Sequence, residues 1–91
     1  SYTLLDMKYK VKEEVFDIDL EEKKICLDSN SGKYLELNES AALIFEFLKA
    51  EDKSVDQIVE HISNIFDVER DKIHSDIKEL LENSKNIFEQ V

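Results

Sequence analysis

The 91 residues predict an α+β domain, a three-stranded antiparallel meander followed by three helices. Three observations carry that expectation. Apolar and polar residues alternate between Phe16 and Leu37, with two interruptions made of turn-forming residues. From Asn38 onward the apolar residues recur every three or four positions instead. The change of period falls within one heptapeptide, GKYLELN at residues 32–38, where a turn glycine feeds a short strand and an asparagine starts a helix. A strand at such a junction can lie at a sheet edge with one row of backbone groups open, so this edge is the candidate functional surface.

Each element has its own local reason. Met7, Tyr9 and Val11 alternate with Lys8, Lys10 and Lys12, so residues 1–13 read as an edge strand or an extended arm preceding the domain proper at 14–91. Phe16, Ile18 and Leu20 alternate with Asp17 and Asp19, which predicts a half-buried strand with its acidic face in water. Glu21 to Lys23 reads as the connection to a second strand, Lys24 to Leu27, with Ile25 and Leu27 on one face and Cys26 on the other. The run Asp28-Ser29-Asn30-Ser31-Gly32 collects residues that bond their own backbone or accept positive φ, and reads as the second hairpin turn. The third strand, Lys33 to Leu37, sets Leu35 and Leu37 on one face and Tyr34 and Glu36 on the other. So small a sheet must lay an apolar face on helices.

Asn38 is a good N-cap, and behind it Ala41, Ile44, Phe45 and Leu48 form one face of an amphipathic helix, widened by Leu43 and Phe47. Glu51-Asp52-Lys53 reads as a polar break. Ser54-Val55-Asp56-Gln57 has the form of a capping box, opening a second stripe of Val55, Ile58, Val59, Ile62 and Phe66. A third helix begins between Asp67 and Asp71 and carries Ile73, Ile77, Leu80 and Leu81, with acidic and basic residues opposite. Ile87 and Phe88 read as a short tail folding back.

Composition excludes several function classes. The formal net charge is −10, with 22 Asp and Glu against 12 Lys and Arg, which disfavours a nucleic-acid partner because phosphate contacts require clustered cations. No apolar run approaches a membrane span, and no signal-peptide pattern opens the chain, so the sequence predicts a cytoplasmic protein without a membrane partner. The single cysteine fits a reducing compartment and reads as a small packed hydrophobe. His61 and His74 lie on different helices with no ligand spacing, so no metal is expected. No glycine-rich phosphate loop and no nucleophile with an adjacent base is present, so no catalytic residue, no enzymatic activity and no cofactor is expected.

A meander followed by three helices has the elements of a winged helix-turn-helix domain with the wing first, although the last helix is acidic where DNA readers are basic. The ordered set Cys26-Leu27-Asp28, Gly32-Lys33-Tyr34, Leu37-Asn38, Ala41 or Ala42 with Ile44-Phe45, Ser54 through Val59, and Phe66-Asp67-Val68 resembles the PqqD-like family. These are the recognition elements of ribosomally made, modified peptides, and the resemblance covers about residues 14–88. Family members usually have a glycine before the second helix and often one after the last, where this chain has Ala50-Glu51 and Asn83-Ser84.

The resemblance implies binding rather than catalysis. It implies a monomer that holds the leader segment of a precursor peptide as an added strand and presents it to a separate maturation enzyme. A lasso-peptide leader protease is favoured over the radical-SAM maturase served by peptide chaperones of the other branch. Backbone pairing is expected at Lys33, Tyr34, Leu35 and Glu36, with the opposite wall of the groove formed by Ile73, Asp76, Ile77 and Leu80. The competing expectations are a winged-helix DNA-binding module and a self-associating module that pairs its own edge strand.

Overall fold

The computed structural model describes residues 6–91. Its elements run β1 (Lys8–Val11), β2 (Val15–Leu20), β3 (Lys23–Asp28), β4 (Tyr34–Leu37), α1 (Glu39–Ala50), β5 (Lys53–Ser54), α2 (Val55–Ser63), α3 (Arg70–Asn83) and β6 (Phe88–Gln90). The expected meander is present, ordered β2-β3-β4, and is followed by the three expected helices.

Two hairpins fix the meander's register. Between β2 and β3 a two-residue connection puts Glu21 at φ 59, a conformation that usually selects glycine at such turns. Between β3 and β4 the Asp28 carboxylate accepts the Asn30 N–H at 2.9 Å and the Ser31 hydroxyl at 3.0 Å, folding the loop on itself. Gly32, at φ 75, donates its N–H to the Asp28 carbonyl, while the Asp28 N–H donates to the Lys33 carbonyl. That pattern is a G1 bulge, and it is the one place where the chain needs a glycine.

The helices follow their local signals. The Asn38 side chain accepts the Ala41 N–H at 2.9 Å, and α1 buries Ala41, Ile44, Phe45 and Leu48, the stripe read from the sequence. At α2 the capping box closes in both directions, Ser54 Oγ accepting from Gln57 N–H at 3.1 Å and Gln57 Oε1 accepting from Ser54 N–H at 2.8 Å. α2 buries Val55, Ile58, Val59 and Ile62 but stops at Ser63, leaving Phe66 partly buried in the link to α3. α3 begins without a side-chain cap and buries Ile73, Ile77 and Leu81.

A second sheet, β5-β1-β6, departs from the sequence expectation. Its described part shows that residues 1–13 supply neither an arm nor an edge strand at Lys8–Val11: β1 is the middle strand, pairing Lys8 with Ser54 on one side and Val11 with Phe88 on the other. Residues 1–5 of that expectation lie outside the described residues. The polar break at Lys53 is the short strand β5, and the C-terminal tail is core. Ile87 and Phe88 are buried, and the Phe88 ring meets the Phe45 ring edge-on, centroids 6.4 Å apart. Burying two such side chains contributes on the order of 4 kcal/mol, which explains why the segment at residues 87–90 is drawn in.

The β2-β3-β4 sheet also reverses one expectation. Phe16, Ile18 and Leu20 face outward and are each about half exposed or more, while the supposedly wet Asp17 turns inward with its side chain 14% exposed. The cause is Lys24 on β3, which lies on the inner face at 8% exposure and draws carboxylates around it. Its ammonium meets Asp17 at 3.0 Å and Asp19 at 2.9 Å and pairs with Glu46 of α1; Lys49 closes the cluster on Asp17 at 2.7 Å. With Lys24 on the inner face, the carboxylates turn toward it because a buried ammonium left without partners is strongly destabilising. Burial works to lower the Lys24 pKa, but the hydrogen bonds its ammonium donates to Asp19, Glu46 and Asp17 outweigh it and raise the pKa, so the lysine stays charged. Hydrogen bonding from Lys49, joined by Lys24, holds the Asp17 carboxyl below its usual range. Cys26, wholly buried on the same inner face, has its thiol pushed up to about 11 by burial and is unreactive packing.

Candidate functional site

β4 is an edge strand: β3 pairs one side of it, and among the described residues no strand pairs the second. Its open groups follow from the register. In an antiparallel ladder, residues that exchange hydrogen bonds with the neighbour alternate with residues whose N–H and C=O point away. Because Asp28 N–H donates to the Lys33 carbonyl, Lys33, Leu35 and Leu37 direct their backbone groups toward β3, opposite Asp28, Cys26 and Lys24. Tyr34 and Glu36 therefore offer their N–H and C=O groups to the open side. The four expected pairing residues divide into two that can accept a further strand and two already committed to the sheet.

Their side chains divide in the same way. Tyr34, 75% exposed, and Glu36 lie on the outer face, where Glu36 pairs with Lys23 at 3.5 Å. Leu35 and Leu37 lie on the inner face with Cys26 and Lys24, Leu37 buried and Leu35 at the margin.

A groove of about 500 Å³ opens where β4 runs into α1. Asn38, the residue after β4, stands at its lining together with Ser40, Ala41 and Ile44 of α1. From the end of α2 and the link come Ile62, Phe66 and Val68. The far wall is α3, and it holds all four of Ile73, Asp76, Ile77 and Leu80. Lys33, Tyr34, Leu35 and Glu36 do not line this groove; they form the strand edge that precedes it.

The lining is apolar at its floor and polar at its rim. Ile44, Ile62, Ile73 and Ile77 are buried beneath it, while Val68 leaves 44% of its surface in water. Lys72 and Asp76 pair at 3.2 Å across one turn of α3, and Glu79 and Asn83 continue the polar edge. Such a floor accepts apolar side chains, and the rim orients polar ones. Phe66 and Val68 were missed as site residues because Phe66 completes the core stripe of α2 in sequence. The available signal was Val68, an aliphatic lying beyond that stripe in a charged link.

Among the described residues no three His, Cys, Asp or Glu side chains gather as metal ligands, and no helix is long and apolar enough to cross a membrane. The histidines are separate: His61 stacks on Phe47 at 3.9 Å, and His74 lies on α3.

The sequence model of the family described as Coenzyme PQQ synthesis protein D (PqqD) matches residues 23–86, from β3 to just short of β6. The chain belongs to the PqqD family. Two solved structures share the fold. One, described as lasso peptide synthetase B1 complexed with the leader peptide, is 25% identical with a TM-score of 0.77, covering 89% of this chain and 96% of that one. The other, TbiB1 in complex with the TbiA(beta) leader peptide, is 21% identical with a TM-score of 0.74, covering 86% of this chain and 93% of that one. Among curated proteins none matches. PqqD membership agrees with the resemblance read from the residues around β3, β4 and the capping box.

Proposed function

We propose that this chain binds the leader region of a ribosomally synthesised precursor peptide by strand addition and presents it to a separate processing enzyme. The observation that carries the reading is the open edge of β4, with Tyr34 and Glu36 offering unpaired backbone groups directly beside an apolar groove walled by α3. A peptide strand satisfies those groups, and its side chains on the groove side reach Ile73, Asp76, Ile77 and Leu80. Both similar solved structures are complexes with leader peptides, which supports the same use of the edge here. The lasso-type leader protease is the favoured recipient because the similar complex at 25% identity is a lasso peptide synthetase subunit. The family is described by a role in coenzyme PQQ synthesis, and the second reading is a peptide chaperone for a radical-SAM maturase. The enzyme encoded beside the precursor separates the two. The chain itself acts as a monomeric binding module with no catalytic residue, cofactor or nucleic-acid contact, in keeping with its charge of −10.

The test is fluorescence anisotropy with the labelled leader half of the precursor encoded beside this chain. Wild type is expected to bind with a micromolar or tighter Kd, about −8 kcal/mol. Glu36→Pro deletes an N–H that points away from β3, so circular dichroism should report an intact fold while affinity falls tenfold or more. Leu80→Glu should weaken binding through the groove wall. Folded wild type that fails to bind, or an unchanged Kd in Glu36→Pro, would refute strand addition.

A further inference from the structure

α3 presents two neighbouring stripes to the groove. Ile73, Ile77 and Leu80 recur at spacings of three and four and form the apolar wall. One position before each stand Lys72, Asp76 and Glu79, a polar stripe along the rim. Its charges are unequal. Lys72 and Asp76 neutralise each other at 3.2 Å, and Lys72 is the one cation in the described lining. Glu79 is exposed, and among the described residues its side chain has no cation partner. Lys72, two turns away, lies about 10 Å from it along the helix axis. The groove therefore has an apolar floor and one uncompensated carboxylate at its rim.

We propose that Glu79 determines specificity for the leader: the leader segment that passes α3 carries an apolar side chain for the floor and a Lys or Arg that pairs with Glu79. The inference rests on the leader-binding reading and names the class of leader it admits. An extended peptide rises about 3.3 Å per residue, so about five residues pass the length of α3 between Lys72 and Asn83, and every second side chain faces the groove. A Lys or Arg among them lays its aliphatic stem on Leu80 and Ile77 and carries its charged head to the rim. A leader carboxylate at the same place would face Asp76 and Glu79 with the cation of the lining already paired, so the rim rejects it.

The field of the whole chain acts in the same direction. A net charge of −10 draws cationic segments toward the surface and speeds their association, but it does not choose a position. Position comes from the apolar stripe beside Glu79. Glu82, exposed on the same helix, contributes equally to the net charge and lies outside the groove lining, which makes it the matched control.

The experiment measures anisotropy of the labelled leader half of the precursor encoded beside this chain, and of versions in which each Lys or Arg is changed to Glu in turn. These are titrated against wild type, Glu79→Gln, Glu79→Lys and Glu82→Lys, with circular dichroism confirming that each variant is folded. The proposal predicts that Glu79→Lys weakens the natural leader fivefold or more while Glu82→Lys stays within twofold. One charge-reversed leader should bind wild type fivefold or more weakly and bind Glu79→Lys better than it binds wild type. Raising salt from about 0.1 M to 1 M, which shortens the screening length from about 10 Å to 3 Å, should weaken wild type more than Glu79→Gln. Equal losses at Glu79 and Glu82 would assign the effect to net charge and overturn the inference. So would unchanged affinity in Glu79→Lys, or a natural leader without Lys or Arg that binds tightly. In each of these cases the loss of affinity in Glu36→Pro would still stand, so strand addition would survive. Failure of folded wild type to bind the natural leader would remove the leader-binding reading together with this one.

Discussion

The two faces of the β2-β3-β4 sheet invert the usual arrangement. Inward, beside Leu35 and Leu37, lie Lys24, Asp17, Asp19 and the buried Cys26; outward lie Phe16, Tyr34 and four aliphatics, Ile18, Leu20, Ile25 and Leu27. The inner face is held by specific ion pairs to α1, whereas the outer face has nothing on it among the described residues. The difference teaches that burial and hydrophobicity part company where a surface is kept for something else. The core is supplied by the helices and by Ile87 and Phe88, so the sheet can offer its aliphatics elsewhere.

The contrast breaks most visibly at Lys24. Lys24→Ala leaves Asp17 inside with one cation fewer, and urea unfolding should show a loss of about 2–3 kcal/mol, below the full value for a buried pair because Asp19 and Glu46 are more than half exposed. Ile18→Ala on the opposite face should cost about 0.5 kcal/mol or less. Equal losses at the two positions would mean that the faces are not distinct in the folded protein.

A smaller effect sharpens the same comparison with pH. Asp17 has a folded pKa below its unfolded value near 3.9. Its contribution to stability is therefore present above that unfolded value and lost as pH falls through the lower folded pKa. Between about pH 5 and pH 2, wild type should lose more stability than Asp17→Asn, read as the difference in thermal midpoints. Parallel curves would show that the inward carboxylate is not held by Lys49 and Lys24.

The helices were legible because their signals are local. Asn38 and Ser54 cap within three residues, and the buried set of α1 is the stripe read from spacing. The meander's register was legible from Gly32 and the Asp28 turn for the same reason. Which face of β2 is buried was not. Alternation at Phe16-Asp17-Ile18-Asp19 has two solutions, and the choice depends on Lys24 and Glu46, the latter 26 or more residues from that strand. The second sheet was hidden because β5 spans two residues and its pairing joins both chain ends to the α1-α2 link. At the site, Ile73, Asp76, Ile77 and Leu80, one side of the last helix in sequence, lie together along the groove, while Ile44 and Phe66 pass as core because a groove floor and a core stripe have the same spacing. The finer division of β4, two residues open and two committed, required the single bond from Asp28 to Lys33.

The most direct measurement is amide hydrogen exchange across β4, residue by residue, with and without the leader peptide. The register predicts that Leu35 and Leu37 are protected in the free chain and stay so, while Tyr34 and Glu36 exchange freely until the leader binds and then become protected. Saturating leader with no new protection at Tyr34 and Glu36 would contradict strand addition at this edge.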